Sequence, residues 1–417
     1  MILELTDLLI QATNSFIQMT IKLISVIILS FVFSAAHSAD YQASEKAQSL
    51  AKSSIIVDGH IDVPYRLQDG WVDVTSATPA GDFDYPRAKQ GGLNAPFMSI
   101  YTPASLGGAQ ESTALAHKLI DYVEAIVGRA PNKFAIAKST KDLHEHFAAG
   151  LISLPLGMEN GSPINGDLNN LKVFYDRGVR YITLAHSKSN AISDSSYDET
   201  RQWGGLSPFG ETVVAEMNRL GIMVDISHVS DEAFYDVMRA TKVPAIASHS
   251  SLRTFTPGFE RNMDDGMIKA LAKNGGVIMI NFGSTFVDAK AREWSDIHSA
   301  DLKLAEEKFA GKESEEYKSY KDSYRDNKPL PFADLNKVIE HIDYAVKLVG
   351  VDHVGLGSDY DGVGDSLPIG LKDVSTYPNL VQGLLDKNYS NEDIKKILGE
   401  NLIRVWAAAE VHAQSVR

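Results

Sequence analysis

Residues 55–62 read Ile-Ile-Val-Asp-Gly-His-Ile-Asp, a short apolar run of β type that ends in a histidine and an aspartate. Further along the chain, other short apolar runs are each followed at once by an ionisable side chain: His186, His228, His249, Glu159 and Asp359. His353 departs from this pattern, because it precedes its apolar run. If the runs are parallel strands, the ionisable side chains stand at the carboxyl ends of those strands.

The spacing of these runs predicts the fold class. Candidate strands lie at 54–57, 95–101, 152–156, 180–184, 222–226, 245–247, 276–280 and 353–356. Amphipathic stretches such as 211–220 and 231–240 separate them and predict helices. Eight strand–helix units in one domain predict an α/β fold, a TIM-type (β/α)8 barrel, over residues 40–417.

One segment stands outside this pattern. Residues 288–331 are dense in Lys, Glu, Asp, Ser and Tyr and poor in large apolar residues. We expect a charged helical insertion outside the barrel. The simpler interpretation is a solvent-exposed insertion without a further role, and the alternative is a lid or a dimer contact.

The composition excludes several kinds of partner. The chain is 44% hydrophobic and 23% charged, an ordinary globular balance, and its formal net charge is −14. An acidic surface argues against nucleic acid and anionic lipid as partners. The chain has no cysteine, so it forms no disulfide, and any metal ion must be bound by His, Asp or Glu.

The N-terminal segment predicts export. Lys22 precedes the apolar run 23–33, and small residues follow it, with Ala36 and Ser38 suited to the −3 and −1 positions of a cleavage site. We therefore predict a signal peptide over residues 1–39, a periplasmic or secreted protein, and no stable membrane anchor after cleavage. An uncleaved anchor helix is the alternative. Acidic residues before Met19 are unusual in such a segment, which favours Met19 over Met1 as the start of translation.

The side chains at the strand ends predict a metal centre. In a barrel, the carboxyl ends of all strands meet at one face, where active sites lie. Taken singly, a buried histidine is more often a hydrogen-bonded core residue, and Asp359 could cap a helix. Together, so many buried polar groups would cost on the order of several kcal/mol unless a cation bound them. Three imidazoles and two carboxylates exceed the four ligands of one tetrahedral zinc, which favours two cations that share Glu159 and activate a water molecule.

Several separate stretches carry a family resemblance. They are Asp-Gly-His-Ile-Asp-Val-Pro at 58–64, Tyr-Ile-Thr-Leu-Ala-His at 181–186, Gly-Leu-Ser-Pro-Phe-Gly at 205–210, Val-Asp-Ile-Ser-His-Val-Ser at 224–230, Ser-His-Ser-Ser at 248–251, Arg-Asn-Met-Asp-Asp at 261–265 and Gly-Ser-Asp-Tyr-Asp-Gly at 357–362. This ordered series resembles the membrane (renal-type) dipeptidases, the M19 metallopeptidases, from about residue 54 to 406. Related amidohydrolases carry a second His where this chain has Asp62, and a bridging lysine where it has Glu159.

The resemblance implies a pair of zinc ions per chain. His60, Asp62 and the bridging Glu159 would bind one ion. Glu159, His228 and His249 would bind the other. A hydroxide bridging the two ions would then be the nucleophile.

The resemblance also implies roles for three further residues. His186, in protonated form, would polarise the scissile carbonyl. Arg261 would pair with the free carboxylate of the substrate, although without the resemblance a surface salt bridge or helix cap would be the simpler interpretation. Asp359 would shuttle the proton from the water to the leaving amine.

The function that the resemblance implies is a binuclear zinc dipeptidase that cleaves L,L and L,D dipeptides and forms a homodimer, with β-lactam opening as a side activity. Alternatives are another two-metal barrel hydrolase, such as an N-acyl amino acid amidase or a lactonase, and a non-catalytic ligand-binding descendant. The chain departs from the family in two places. Asn160 stands where relatives commonly have glycine, but asparagine tolerates a left-handed backbone, so we expect Glu159 still to be presented. Residues 281–286 lack tyrosines that relatives often place near the substrate, and together with the insertion that follows this puts side-chain preference in doubt.

Overall fold

The structure is a computed structural model that describes residues 41–106 and 110–416. The signal peptide predicted for residues 1–39 lies outside these residues and stays a prediction. Residues from Ala43 onward form one compact unit. No helix within the described ranges is long and apolar enough to cross a membrane.

The strands of the described residues are β1 (Ile56–Ile61), β2 (Leu93–Tyr101), β3 (Phe134–Ala135), β4 (Ile152–Ser153), β5 (Leu156–Glu159), β6 (Val179–Thr183), β7 (Met223–Asp225), β8 (Ile246–Ser250), β9 (Val277–Ile280) and β10 (Val354–Leu356). Eight of them close into a parallel barrel in the order β1-β10-β9-β8-β7-β6-β5-β2. The first and last strands pair with each other, with Asp58 opposite Leu356. The predicted (β/α)8 barrel is therefore confirmed.

The third predicted strand was placed too early in the chain. Residues 152–156 do not form one barrel strand, because β4 pairs with β3 in a separate two-stranded sheet and β5 begins only at Leu156. The chain changes sheets at Pro155: the amide of Leu154 still bonds to Ala135, whereas the carbonyl of Pro155 accepts from Met98 of β2. A continuous apolar run does not reveal where its pairing partner changes.

The helices of the described residues are Glu45–Ser53, Val63–Asp69, Tyr85–Gly91, Gln110–Arg129, Thr140–Ala148, Asn169–Arg177, Pro208–Leu220, Asp231–Ala240, Asp265–Lys273, Ser284–Val287, Ala289–Lys308, Glu315–Asn327, Leu335–Val349, Tyr377–Asp386, Asn391–Lys395 and Asn401–Val416, with a π-helical turn at Lys396–Glu400. Local capping defines many of their ends. Ser207 caps Pro208–Leu220 by accepting from the amide of Gly210, and Gly221 ends this helix in the left-handed conformation.

Two helices, Ala289–Lys308 and Glu315–Asn327, occupy most of the charged segment 288–331. The second of them reaches a loop that follows β10. The Arg325 guanidinium donates to the carbonyl of Asp365 at 2.8 Å and to its carboxylate at 3.1 Å. The inserted helices thus contact a loop in which Gly364 and Ser366, the neighbours of Asp365, line a cavity at the carboxyl ends of the strands.

Tyr181 links the barrel interior to the strand ends. Its ring is fully buried among apolar side chains that include Phe97, Met279 and Trp406. A Cβ at Gly157 would lie only 2.0 Å from this ring, so the absence of a side chain at position 157 makes room for it. The barrel can therefore hold a large phenol inside, with its hydroxyl directed at the strand ends.

Candidate metal centre

The strand ends bring the predicted metal ligands together. His60 lies within β1 and Asp62 follows that strand, while Glu159 is the last residue of β5. His249 lies within β8, and His228 lies in the turn after β7. All of these side chains are buried. His228 has a left-handed backbone, with φ at 69°. This conformation is uncommon for a residue with a side chain and is found most often at functional sites.

Glu159 is the centre of this cluster, and its two oxygens face different histidines. Oε1 lies 3.1 Å from Nε2 of His228 and 3.2 Å from Nε2 of His249. Oε2 lies 3.5 Å from Nε2 of His60, which in turn lies 3.3 Å from Oδ2 of Asp62. Glu159 therefore faces His60 with one oxygen and His228 and His249 with the other, and ligand atoms of His60, Glu159 and His249 also lie within 4.8 Å of one another.

The hydrogen bonds of two imidazoles determine which nitrogen faces Glu159. Nδ1 of His60 lies 2.8 Å from the Tyr181 hydroxyl, which donates its proton to the carbonyl of Gly59 at 2.9 Å. The hydroxyl must therefore accept from His60. Nδ1 of His249 likewise donates to Ser248 at 2.7 Å, and Ser248 donates to Asp225 at 2.6 Å. In the neutral form of each ring the lone pair is on Nε2 and points into the cluster.

These residues fit a bound cation. Nε2 of His60 and Oδ1 of Asp62 are buried and have no hydrogen-bond partner within the described part of the chain. Nε2 of His228 and Nε2 of His249 approach to 2.8 Å, and two lone pairs this close repel unless a proton or a metal ion lies at them. Nitrogen and oxygen donors without sulfur suit zinc and similar divalent ions.

The electrostatics of the cluster also favour a positive charge. Burial opposes the charge on Glu159, but His60, His186 and hydrogen bonds from the other two histidines hold its pKa well below its usual range. Burial also opposes a charge on His60, but Tyr181, Asp62 and Glu159 raise its pKa well above the usual value. Burial lowers the pKa values of His228 and His249 well below that value, so both rings are neutral, as a metal ligand requires.

Two of the three predicted substrate-handling residues line a cavity beside the cluster. This cavity has a volume of about 640 Å³, and its lining includes His186, Asp359, Glu159 and His228. Nε2 of His186 lies 3.6 Å from Oε1 of Glu159. Burial lowers the pKa of His186 in spite of Glu159, which favours the neutral ring over the protonated form expected from the sequence.

Asp359 combines an unusual backbone with a raised pKa. Its φ is 63°, and Oδ2 accepts a 2.7 Å hydrogen bond from the side-chain amide of Asn281. Burial, followed by the charge of Asp62, raises the pKa of Asp359 to about 8. A carboxyl group of this kind exchanges a proton readily near neutral pH.

Arg261 lies behind the cavity wall and not among its lining side chains. It is 3% exposed and donates to Ser250 Oγ and to the carbonyl of His249, each at 2.7 Å. Its guanidinium lies 5.6 Å from the ring centre of Phe286, which does line the cavity. Nε of Arg261 is buried and has no partner among the described residues.

Aromatic side chains that the pattern of ionisable residues at strand ends does not reveal also line the cavity: Tyr65, Tyr101, Tyr197 and Phe286. The Tyr101 ring lies 4.7 Å from that of His186, and the Tyr197 ring lies 5.9 Å from that of His228. Tyr101 is the last residue of β2, so its position at a strand end would also have indicated this uncharged side chain. Tyr197 lies in an irregular loop and gives no such signal.

Asn160, where relatives commonly have glycine, takes the left-handed backbone conformation, with φ at 77°. Its side-chain amide donates to the carbonyl of Thr102 at 2.9 Å, and its oxygen accepts from Asn190 at 3.0 Å. The side chain thus ties the loop after β5 to its neighbours, and Glu159 remains at the centre of the cluster.

Comparison with known proteins places the chain among peptidases. The sequence model of the family described as membrane dipeptidase (peptidase family M19) matches residues 44–417. Dipeptidase aclJ of Aspergillus oryzae is 34% identical over 343 residues, which are 81% of this chain and 72% of that protein.

Solved structures give the same fold. The probable dipeptidase PvdM from Pseudomonas aeruginosa aligns with a TM-score of 0.77 and 26% identity, over 88% of this chain and 98% of that one. A metallopeptidase from Rhodobacter sphaeroides, liganded with a phosphinate mimic of the dipeptide L-Ala-D-Ala, aligns with a TM-score of 0.70 and 23% identity, over 86% and 100% of the two chains.

Proposed function

The chain belongs to the membrane dipeptidases, peptidase family M19, and is a metallo-dipeptidase; we propose that it works with two zinc ions bound by His60, Asp62, Glu159, His228 and His249. In this proposal, His60 and Asp62 bind one ion, His228 and His249 bind the other, and Glu159 contacts both. The substrate is a dipeptide with a free C-terminal carboxylate.

One observation carries the two-ion proposal. Oε1 of Glu159 faces the imidazoles of His228 and His249, whereas Oε2 faces that of His60. A centre for one ion would need only one carboxylate oxygen and one group of ligands. When bound, two divalent ions would lower the pKa of a water molecule and polarise the peptide carbonyl.

His186 is the proposed donor to the substrate carbonyl. The neutral ring offers one N–H, and the side chain lines the cavity next to Glu159. As negative charge develops on the carbonyl oxygen, a fixed donor at that place stabilises it more than it stabilises the ground state. Tyr101 packs against the His186 ring and restricts its movement.

Asp359 is the proposed proton shuttle. Hydrolysis requires a proton to pass from the attacking water to the leaving nitrogen as the C–N bond breaks. A buried carboxyl group with a pKa raised to about 8 can accept that proton as a base and return it as an acid. Its position in the cavity lining, beside the ligand cluster, suits both steps.

Arg261 is the proposed partner of the substrate carboxylate. Two of its N–H groups are committed to Ser250 and His249, which leaves the others for a bidentate partner. A carboxylate would reach it beside the ring of Phe286. Such a clamp close to the metals would limit substrates to two residues, in either the L,L or the L,D configuration.

Metal analysis combined with a substrate panel tests this proposal. We expect two equivalents of zinc per chain after reconstitution, turnover of L-Ala-L-Ala and L-Ala-D-Ala, and inhibition by a phosphinate mimic of L-Ala-D-Ala. Turnover of N-acyl amino acids without turnover of dipeptides would indicate a different two-metal hydrolase. A metal-loaded protein inert to every substrate would indicate a ligand-binding descendant.

We further propose that the chain is exported to the periplasm or secreted, and that it forms a homodimer. The export proposal is supported by the run 23–33 with the small residues after it. N-terminal sequencing of the mature protein should give a start close to residue 39, and retention of residues 1–38 would contradict cleavage. Light scattering of the mature protein should give twice the chain mass.

A further inference from the structure

Asn281 directly follows β9 and is fully buried. Its backbone amide donates to the carbonyl of Ser250 at 3.1 Å, and its backbone carbonyl accepts from the Ser251 hydroxyl at 3.2 Å. Both backbone groups are therefore bound to the end of β8. The side chain starts from an immobile backbone and is aimed at Asp359.

The orientation of the Asn281 amide follows from its two contacts. Its Oδ1 accepts a 2.7 Å hydrogen bond from the backbone N–H of Gly283, which is a donor only. The nitrogen, Nδ2, must then be the atom 2.7 Å from Oδ2 of Asp359, and it donates there. A flipped amide would place its N–H groups against the N–H of Gly283 and its oxygen against a carboxylate oxygen.

Two hydrogen bonds also fix the backbone of Asp359. Its amide donates to the carbonyl of His60 at 3.1 Å, and its carbonyl accepts from Gly362 at 3.0 Å. A Cβ at Gly362 would lie 2.1 Å from Oδ1 of Asp359 and 2.2 Å from Oδ2 of Asp62. Thus Oδ1 faces the ligand cluster, while Oδ2 faces Asn281.

We propose that Asn281 is a positioning residue for the hydrolytic reaction: its side-chain N–H occupies Oδ2 of Asp359, so that the proton in transit is carried on Oδ1, the oxygen that faces the metal ligands. An O–H group on Oδ2 would point at the N–H of Asn281, which cannot accept it. Asn281 thereby selects the oxygen that exchanges the proton and holds the carboxyl group in one rotamer. This inference rests on the proposed role of Asp359.

The alternative is that Asn281 only shapes the turn before the short helix Ser284–Val287, through its contact with Gly283. Two variants separate these roles. Asn281→Asp keeps an oxygen for the Gly283 amide but removes the donor to Asp359, whereas Asn281→Ala removes both contacts. If only the turn matters, Asn281→Asp retains activity.

The experiment is a double-mutant cycle between positions 281 and 359, measured in the zinc-loaded protein with L-Ala-L-Ala. We expect Asn281→Ala and Asn281→Asp each to lower kcat by about tenfold to a hundredfold, with KM changed less than about threefold and metal content unchanged. In the Asp359→Asn background, Asn281→Ala should have no further effect on kcat. An equal fold-loss in both backgrounds would overturn the proposal.

Thermal unfolding gives a readout that does not depend on turnover. Asn281→Asp places two carboxylates in contact and should lower Tm, and the swapped pair Asn281→Asp with Asp359→Asn should recover it while remaining inactive. Additive Tm changes would show that the two side chains are not coupled and would overturn the proposal. If the wild type itself cleaves no dipeptide, the proposed function fails, but the Tm cycle still tests this contact.

Asn401→Ala is the matched control. Asn401 is also a buried asparagine, and its amide donates to the carbonyls of Val351 at 2.7 Å and Val354 at 2.9 Å, at the start of β10 rather than its end. We expect this variant to lower Tm and to leave kcat unchanged. Loss of kcat here would mean that general destabilisation reduces activity.

Discussion

The hydroxyl of Tyr181 accepts a 2.8 Å hydrogen bond from Nδ1 of His60, across the barrel from β6 to β1. A metal-binding histidine typically donates its second nitrogen to such a partner, and the loss of that partner weakens metal binding about tenfold to a hundredfold. In this molecule the partner is a neutral phenol, buried in the barrel and itself fixed by the carbonyl of Gly59. The interior of the barrel thus contributes directly to the orientation of a proposed metal ligand.

Replacing Tyr181 with phenylalanine should weaken zinc binding without changing the packing. The ring would still fill the space beside Gly157, but His60 would lose its acceptor. We expect about a tenfold to a hundredfold loss of affinity for one of the two ions, measured by competition with a chromophoric chelator. Tyr344→Phe, which removes a hydroxyl bonded to Asp265 away from the centre, is the control. Equal affinities in all three proteins would contradict the role assigned to Tyr181.

Asp359→Asn should separate metal binding from catalysis. The oxygen of the new side-chain amide at position 359 can still accept the hydrogen bond from Asn281. The amide cannot, however, accept a proton and return it. We expect two zinc ions per chain, KM close to that of the wild type, and kcat lower by at least about a hundredfold. Metal content by atomic emission and steady-state kinetics are the measurements. Loss of an ion along with activity would make Asp359 a metal ligand instead.

Arg261→Ala should weaken the binding of dipeptides more than that of their C-terminal amides. Loss of a charge-assisted hydrogen bond to a buried carboxylate costs about 2 to 3 kcal/mol, which corresponds to an increase in KM of about 30-fold to 160-fold. The amide of the same dipeptide should show a much smaller change. Parallel kinetics with L-Ala-L-Ala and L-Ala-L-alaninamide give the comparison, and similar increases in KM for both would remove the carboxylate clamp.

His341 should make the stability of the fold depend on pH. Its Nδ1 accepts from the amide of Leu252 at 3.2 Å and its Nε2 donates to the carbonyl of Val287 at 2.9 Å, so the buried ring must be neutral. Burial lowers its pKa to about 4, whereas the unfolded chain titrates near the ordinary value of 6.5. The unfolded state therefore binds the proton first. Stability is fully present above pH about 6.5 and is lost progressively as the pH falls towards 4.

At pH 5 this single group should cost about 2 kcal/mol of the free energy of unfolding. Urea unfolding of the wild type and of His341→Gln at pH 7 and at pH 5 measures the difference. The variant should be less stable at pH 7 and should lose less stability between the two pH values. An unchanged pH dependence would show that the pKa of His341 does not differ between the folded and unfolded states.

The ligand cluster was predictable because it depends only on where strands end. His60, Glu159, His228 and His249 each close an apolar run or lie at its end, and a parallel barrel brings such ends to one face. The prediction did not require the register between strands. The same reasoning misplaced the third strand, since nothing in the run 152–156 marks the change of partner at Pro155.

The contacts that hold the ligands in place were not predictable in this way. Tyr181 meets His60, and Asn281 meets Asp359, only because of the register of strands that are distant in the sequence. Neither a tyrosine in the middle of a strand nor an asparagine just after one indicates such a partner. For Arg261, the family resemblance supplied the residue, and only the structure shows that it lies behind Phe286 rather than on the cavity surface.

Closure of the barrel between β1 and β10 determines when the candidate metal site forms during synthesis and folding of the chain. His60 and Asp62 come from the first strand and Asp359 from the end of the last, so the complete pocket exists only once the C-terminal part has been synthesised and has paired with the N-terminal part. Contacts so far apart in sequence form late in folding. A chain whose barrel has not closed would bind metal ions poorly, because a site that is not assembled has little affinity. The compartment in which the barrel closes would therefore decide which metal the protein acquires.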